Sequence, residues 1–186
     1  FCFVFLFLLQ TGAAPEKVQA ATTVQFNDGS GRYLLKNGSN WYLKDKDGKL
    51  QKGIQDLKIA ETIQEGTRKI YRGYYYFESN GALRKTAGAI YTPGVKVNGK
   101  TFKGYYYTTQ SGRISVVGDY FVYIKSTVNN RSFNGVYYVL PTGDISIRTT
   151  VRYMKACTLN GVKYYSGFYH FYAGKLQTTK HIAKDL

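Results

Sequence analysis

Cysteine and histidine are scarce in this chain, which has two of each among 186 residues. Cys2 lies in the apolar start of the chain, so Cys157 would remain alone if that segment is removed, and no internal disulfide could then form. Two histidines and one cysteine cannot supply a zinc site of ordinary ligand spacing, and no H-E-x-x-H, G-x-S-x-G or P-loop pattern occurs. We therefore predict no catalytic residue, no metal and no cofactor.

Acidic residues are also few, with 11 Asp and Glu against 26 Lys and Arg, so the formal net charge is +15. Asp45 and Asp47 flank a turn next to Gly48, where acids normally accept hydrogen bonds from the backbone, which argues against a glycosidase pair. A surface this basic favours a polyanionic partner, such as nucleic acid, acidic polysaccharide, teichoic acid or an anionic membrane face. Charge alone does not choose among these.

Long apolar runs are missing beyond the first residues. The run from Phe1 to Leu9 is too short to span a bilayer, and small residues followed by Val18-Gln19-Ala20 come after it. This pattern predicts that residues 1–20 are a secretory signal peptide with its start missing, cleaved after Ala20 or after Ala14. The alternative is a buried N-terminal strand. The signal-peptide interpretation makes the protein secreted or surface-located, with residues 21–186 as its mature domain.

What the chain has in abundance is an internal repeat. A Gly, a Tyr-rich run and a second Gly recur four times, and the second glycines lie 31 residues apart at Gly81, Gly112, Gly143 and Gly174. A divergent first copy contains Trp41 and ends at Gly48. Repeats of this length indicate units that bury their apolar faces only by stacking on neighbours.

The repeat predicts an all-β fold, a solenoid-like stack of β-hairpin repeats of about 31 residues. Tyr-, Val-, Ile- and Phe-rich runs after Val24 read as strands, and each Tyr-rich run ends at a turn at the second glycine. Each copy is then a β-hairpin plus a third extended stretch. Cys157 is predicted to be a strand residue rather than a reactive thiol, and residues 61–69 to be strand or loop. The end copies should fray first.

Two sets of residues carry a family resemblance. Residues 40–54 and the Gly-Tyr-Tyr-Tyr-Phe copies resemble the cell-wall-binding repeat of Gram-positive surface proteins, a group that includes choline-binding, glucan-binding and clostridial toxin-type repeats. The resemblance covers residues 28–176. It implies a β-hairpin solenoid with ligand sites where aromatic side chains of adjacent hairpins meet, and a ligand on the cell wall.

Alternation along a strand separates the tyrosines into two faces. One face is predicted to pack between copies, and it holds Tyr42, Tyr76, Tyr107, Tyr138 and Tyr169. The other is predicted either to pack as well or to bind ligand by stacking on sugar rings, and it holds Trp41, Tyr75, Tyr106, Tyr137 and Phe168. The choline pattern requires a further Gly-Trp, but Gly53-Ile54 and Gly88-Ala89 stand there, and a basic protein repels a cation. Choline is therefore the less favoured partner.

Basic residues recur at one position of the repeat, as Lys69, Lys100 and Arg131. They are predicted to bind phosphates or uronates, or else to form a solvated charged edge that deters strand-edge association. Aromatic side chains beside lysines also bind single-stranded nucleic acid, but no recognition-helix, Cys/His-finger or RNP-like signature accompanies them.

These observations predict a secreted, non-catalytic module that attaches to cell-wall teichoic acid or polysaccharide, with weak sites in successive copies adding by avidity. No nucleic acid and no membrane span are expected. The alternatives are a targeting fragment of a cell-wall lytic enzyme, and an adhesin or effector that binds host glycans.

Overall fold

The structure is a computed structural model that describes residues 22–26, 29–114 and 120–182. These residues form strands and turns and contain no helix, which confirms the all-β prediction. The segment predicted to be a signal peptide, residues 1–20, lies outside the described residues. The strands of the described part, in chain order, are β1 (Thr22–Gln25), β2 (Tyr33–Asn37), β3 (Asn40–Lys44), β4 (Gly53–Leu57), β5 (Ile63–Glu65), β6 (Arg68–Ile70), β7 (Gly73–Phe77), β8 (Gly88–Val97), β9 (Lys100–Thr108), β10 (Tyr120–Val128), β11 (Arg131–Val139), β12 (Thr150–Met154), β13 (Cys157–Leu159), β14 (Val162–Tyr164), β15 (Gly167–Tyr172) and β16 (Lys175–Ile182).

The strands pair antiparallel in several small sheets. Two sheets have three or more strands, in the orders β1-β2-β3 and β10-β11-β16-β15-β12. The others are the pairs β4-β7, β5-β6, β8-β9 and β13-β14. Cys157 begins β13, and residues 61–69 contain β5 and the start of β6, as the sequence predicted.

The principal hairpins do not turn where the sequence placed them. The longest one joins β8 to β9, and its turn is Asn98-Gly99, with φ of 47° and 81°. Asn129-Asn130 and Asn160-Gly161 make the equivalent turns of β10–β11 and β13–β14, again with positive φ at both residues. Two left-handed residues give a turn whose twist matches that of paired strands, and Asn and Gly adopt this conformation at low cost. The predicted third stretch is therefore one arm of the main hairpin.

The turns at the second glycines join neighbouring copies instead. After Gly81, Gly112 and Gly143 the chain forms only short bridges, one back to its own copy and one to the preceding copy. Ile114, for example, bridges Thr108, and Arg113 bridges Tyr75. After Gly174 the strand β16 makes the corresponding pairs, with β15 and with β11. Two backbone hydrogen bonds recur one copy later. The first is Tyr76 N–H to Gly112 O at 2.9 Å, which is repeated as Tyr107 N–H to Gly143 O at 3.1 Å. The second is Ile114 N–H to Tyr74 O at 2.8 Å, which is repeated as Ile145 N–H to Tyr105 O at the same distance. The sequence repeat is thus also a repeat of hydrogen bonds between copies.

Apolar side chains are buried in several clusters along the chain. Trp41, Leu43, Tyr75 and Phe77 belong to the first, which joins the divergent copy to the second one. Phe102 and Tyr106 lie in the next cluster, followed by one around Phe133 and Tyr137 and one around Tyr169 and Phe171. Each cluster takes side chains from consecutive hairpins, so the core runs along the sequence.

Candidate functional site

The aromatic residues proposed to stack on sugars lie mostly inside the protein. Trp41, Tyr75, Tyr106 and Tyr137 are 2%, 0%, 5% and 3% exposed, so none of these rings presents a face to solvent. These four residues therefore follow the packing alternative and not the sugar-stacking one, because this face of each strand is turned into the core. Of the series predicted to pack, Tyr138 and Tyr169 are buried, whereas Tyr42, Tyr76 and Tyr107 are half-buried.

Backbone hydrogen bonds explain why the buried positions are tyrosines. The Tyr75 hydroxyl accepts the Tyr71 N–H at 3.0 Å, and the Tyr106 hydroxyl accepts the Lys103 N–H at 3.2 Å. Burial is the main cause that raises the pKa of both phenols. A buried tyrosine needs such a partner for its hydroxyl. Tyr75 and Tyr106 therefore have a structural role in the core.

Phe168 does not belong to the same structural series. The Tyr169 hydroxyl donates to the Tyr165 carbonyl at 2.8 Å, which is the counterpart of the bonds made by Tyr75 and Tyr106. Gly167 pairs with Met154 in the last copy, as Gly135 pairs with Ile124 in the copy before it. Tyr169 and Tyr137 each follow that glycine by two residues, so they are equivalent. Phe168 lies on the opposite face, half-buried, with its ring 5.3 Å from that of Tyr153. The last copy is shifted by one residue relative to the sequence alignment.

The basic series contains a similar one-residue shift. The residue of the second copy that is structurally equivalent to Lys100 and Arg131 is Arg68, not Lys69. Arg68 begins its strand after the hairpin turn, opposite Glu65, as Lys100 does opposite Val97 and Arg131 opposite Val128. Each of these three side chains donates to the carbonyl just before the second glycine of the next turn: Arg68 Nη2 to Ser111 O at 3.2 Å, Lys100 Nζ to Thr142 O at 3.1 Å, and Arg131 Nη2 to Ala173 O at 2.7 Å.

Aromatic rings complete these structural contacts. Lys100 Nζ lies 4.9 Å from the centre of the Phe102 ring and 5.4 Å from that of Tyr74. Arg131 takes the same place over Phe133 and Tyr105. Lys100 and Arg131 therefore hold one copy to the next by a charged hydrogen bond and cation–π contacts. Sequence reasoning missed Arg68, because the second copy has one residue more between this cation and its Tyr-rich run.

Lys69 instead faces a groove between the second and third copies, with a volume of about 680 Å³. Exposed Lys69 and Lys85 lie along it with Arg68 and Arg113, against a single carboxylate, that of Glu65. Ser39, Thr67, Thr109, Gln110 and Ser111 supply hydroxyl and amide groups to the same lining. The groove is thus basic and rich in neutral hydrogen-bonding groups. Such a combination suits an anionic carbohydrate or polyol.

Tyr71 is the aromatic member of the groove and is 38% exposed. The Arg113 guanidinium lies over its ring, 4.2 Å from the centre, and donates to its hydroxyl at 2.6 Å. Arg113 also rests against Gly73, where a Cβ would lie 2.8 Å from Nε. The absence of a side chain at Gly73 therefore lets the cation lie flat against the chain. Ring and guanidinium are fixed together at the edge of the groove.

Glu65 is already neutralised by its neighbours. Its carboxylate pairs with Lys36 Nζ at 2.8 Å and accepts the Trp41 Nε1–H at 3.0 Å. The hydrogen bond from Lys36 is the largest influence and lowers the pKa of Glu65, against an opposing effect of burial. Because this charge is satisfied by Lys36 and Trp41, the cations of the groove dominate its potential.

The acidic turn near Gly48 has a structural role, as predicted. Asp45 Oδ1 accepts the N–H groups of Asp47 and Lys49 at 3.1 and 2.9 Å. Within the described residues no group of three or more His, Cys, Asp or Glu side chains could hold a metal ion. In that same part of the chain, no helix is long and apolar enough to cross a membrane.

Comparisons with known proteins assign no family to the chain. No protein-family model matches it, and no curated protein matches it. Among solved structures, CbpJ from Streptococcus pneumoniae TIGR4 is similar to it at 19% identity and a TM-score of 0.31, over 86% of this chain and 66% of that chain. A likeness at this level indicates neither the family of this chain nor its ligand.

Proposed function

We propose that this protein is a secreted, non-catalytic binding module that attaches to a polymer of the Gram-positive cell wall, either a teichoic acid or a polysaccharide. The observation that carries the proposal is the groove lined by Lys69, Lys85, Arg68 and Arg113 together with an exposed tyrosine, Tyr71. The net charge of +15 would draw the protein to such polyanions. The same charge disfavours choline, a cation.

We further propose that the copies stack as a solenoid of β-hairpins. The backbone bonds that recur after 31 residues between successive copies support this arrangement. The equivalent bonds made by Arg68, Lys100 and Arg131 support it independently. In such a stack every copy contacts only its neighbours, and ligand sites lie at the junctions between copies.

Co-sedimentation of residues 21–186 with purified Gram-positive cell walls tests the function. The walls are used before and after removal of teichoic acid, at low and at high salt. Binding that is lost on removal and weakened by salt supports a teichoic-acid ligand, because ion pairing at an exposed groove is screened. Binding that survives removal supports a polysaccharide. A failure to sediment with either preparation would contradict the proposal and favour the adhesin or effector alternative, which predicts binding to host glycans.

A further inference from the structure

We propose that the Tyr71–Arg113 groove is a single binding site for an anionic group carried on a sugar or polyol, and that the other junctions between copies do not bind this ligand. The inference rests on the proposed function and makes it specific. The repeat predicted weak ligand sites in successive copies, whereas this inference assigns one ligand site, at the junction of the second and third copies. The ligand chemistry is a phosphate or a carboxylate beside several hydroxyl groups.

The geometry of the groove matches the two parts of such a ligand. The apolar face of a sugar or polyol carbon chain can pack on the exposed part of the Tyr71 ring. Arg113, held at 4.2 Å from the centre of that ring, would then meet an anionic substituent next to it. Lys69 and Lys85 are exposed and free to move toward the same anion. Preorganisation of the ring and the guanidinium reduces the entropy lost on binding.

The next junction along the chain has different chemistry at the same positions. Lys103 corresponds there to Tyr71, since each donates its backbone N–H to the buried tyrosine of its copy. Asp144 corresponds to Arg113, since each forms the equivalent bridge to the preceding copy. This cavity has a volume of about 400 Å³ and is lined by Lys103, Leu140, Asp144 and Arg148, among others. Its aromatic member, Tyr105, is half-buried, so the cavity has no ring as exposed as Tyr71, and the Asp144 carboxylate would repel an anion.

The third junction is smaller again. Its cavity has a volume of about 200 Å³, and Asn134 and Lys175 line it. Asn134 follows Arg131 by the same three residues that separate Lys103 from Lys100, so it takes the place of Tyr71. Lys175 lies against Gly135 as Arg113 lies against Gly73. A cation is present here, but the Tyr71 position holds an amide, and the rings in the lining, those of Tyr123 and Tyr164, are half-buried. Of these three junctions, only the first has an exposed ring with a guanidinium held over it, and it has the largest volume of the three.

The test is calorimetric titration of the full chain at low salt with two probes, glycerol 3-phosphate and glucuronic acid. We expect saturable binding of at least one probe with one site per chain. Arg113→Gln should weaken it at least fivefold. Lys69→Gln combined with Lys85→Gln should do the same, and because both side chains are exposed, this variant should keep the fold. The matched control is Arg148→Gln, the same change in the cavity of the next junction, which should alter affinity by less than twofold.

Binding of the phosphate probe alone would identify a teichoic-acid-like ligand, and binding of the uronate alone an acidic polysaccharide. Failure of both probes to saturate, two or three equal sites, or equal weakening by Arg148→Gln would each overturn the inference. Cell-wall sedimentation of the same variants separates the two proposals. Sedimentation unaffected by Arg113→Gln would contradict the groove as the wall site and keep the function, whereas probe binding without sedimentation would keep the groove and contradict the function.

Discussion

At the scale of single residues, the second glycine of the third copy, Gly112, is a highly restrictive position. Gly112 has a φ of +80°, and a Cβ there would lie 2.4 Å from the carbonyl oxygen of Arg84. Gly99 has nearly the same φ, +81°, but no atom lies within 4 Å of its Cβ position. An added side chain would therefore meet the same backbone strain at both glycines. Only at Gly112 would it also collide with the neighbouring copy.

We predict that Gly112→Ala lowers the free energy of unfolding by about 1–3 kcal/mol more than Gly99→Ala does, because a methyl group must displace backbone. Both changes carry the backbone penalty of about 1–2 kcal/mol. Urea denaturation of both variants measures the difference. Equal losses would show that neighbouring copies do not approach as closely at Gly112 as the structure indicates.

Glu65 gives a prediction about pH. Its folded-state pKa is lowered from the ordinary 4.5, chiefly by the hydrogen bond from Lys36. The stabilisation is therefore present above pH 4.5 and is lost as the pH falls through the lowered folded-state pKa. Glu65→Gln should reduce the acid-induced fall in the urea midpoint, whereas Glu61→Gln, at an exposed position, should leave it unchanged. A wild-type acid response in Glu65→Gln would contradict the Lys36–Glu65–Trp41 network.

At the scale of structural elements, a cation in each of three hairpins, Arg68, Lys100 or Arg131, holds the turn of the next copy. Lys100→Met keeps the aliphatic contact with Phe102 and Tyr74 but loses the bond to the Thr142 carbonyl and the cation–π contacts. We expect a loss of about 1–2 kcal/mol in the free energy of unfolding. Hydrogen exchange of the Gly143 amide, which donates to Leu140 O within this turn, should accelerate. Lys96→Met, at an exposed position of the same hairpin, is the control, and equal effects would refute the proposed role.

At the scale of the whole molecule, a stack of copies should open from its ends. The amides of Tyr76 and Tyr107, bonded to the glycine carbonyls of the next copy, lie at the interior junctions. We predict slower native-state hydrogen exchange for these two amides than for β1 and β14, because an end copy has a neighbour on one side only. Exchange measured by NMR at two pH values checks this. Uniform protection along the chain would indicate a single cooperative unit and would contradict a solenoid.

The amino-acid sequence by itself determined the class of structure and the spacing of its repeated turns. Tyr- and Val-rich runs form strands because their side chains suit a pleated, half-buried surface. The spacing of the second glycines is reproduced as a spacing of hydrogen bonds, since Gly112 and Gly143 occupy equivalent positions in successive copies. These features are local, so residue type and spacing were enough to identify them.

The tertiary structure alone decided which face of each strand is buried and where the copies are out of register. Alternation separates Tyr75 from Tyr76 but does not say which of them faces the core, because both are aromatic. One-residue shifts near Arg68 and Tyr169 were invisible to a fixed step of 31 residues, since the bonds that define equivalence join distant parts of the chain. The groove at Tyr71 exists for the same reason: it forms only where Arg113 of the next copy packs on that ring.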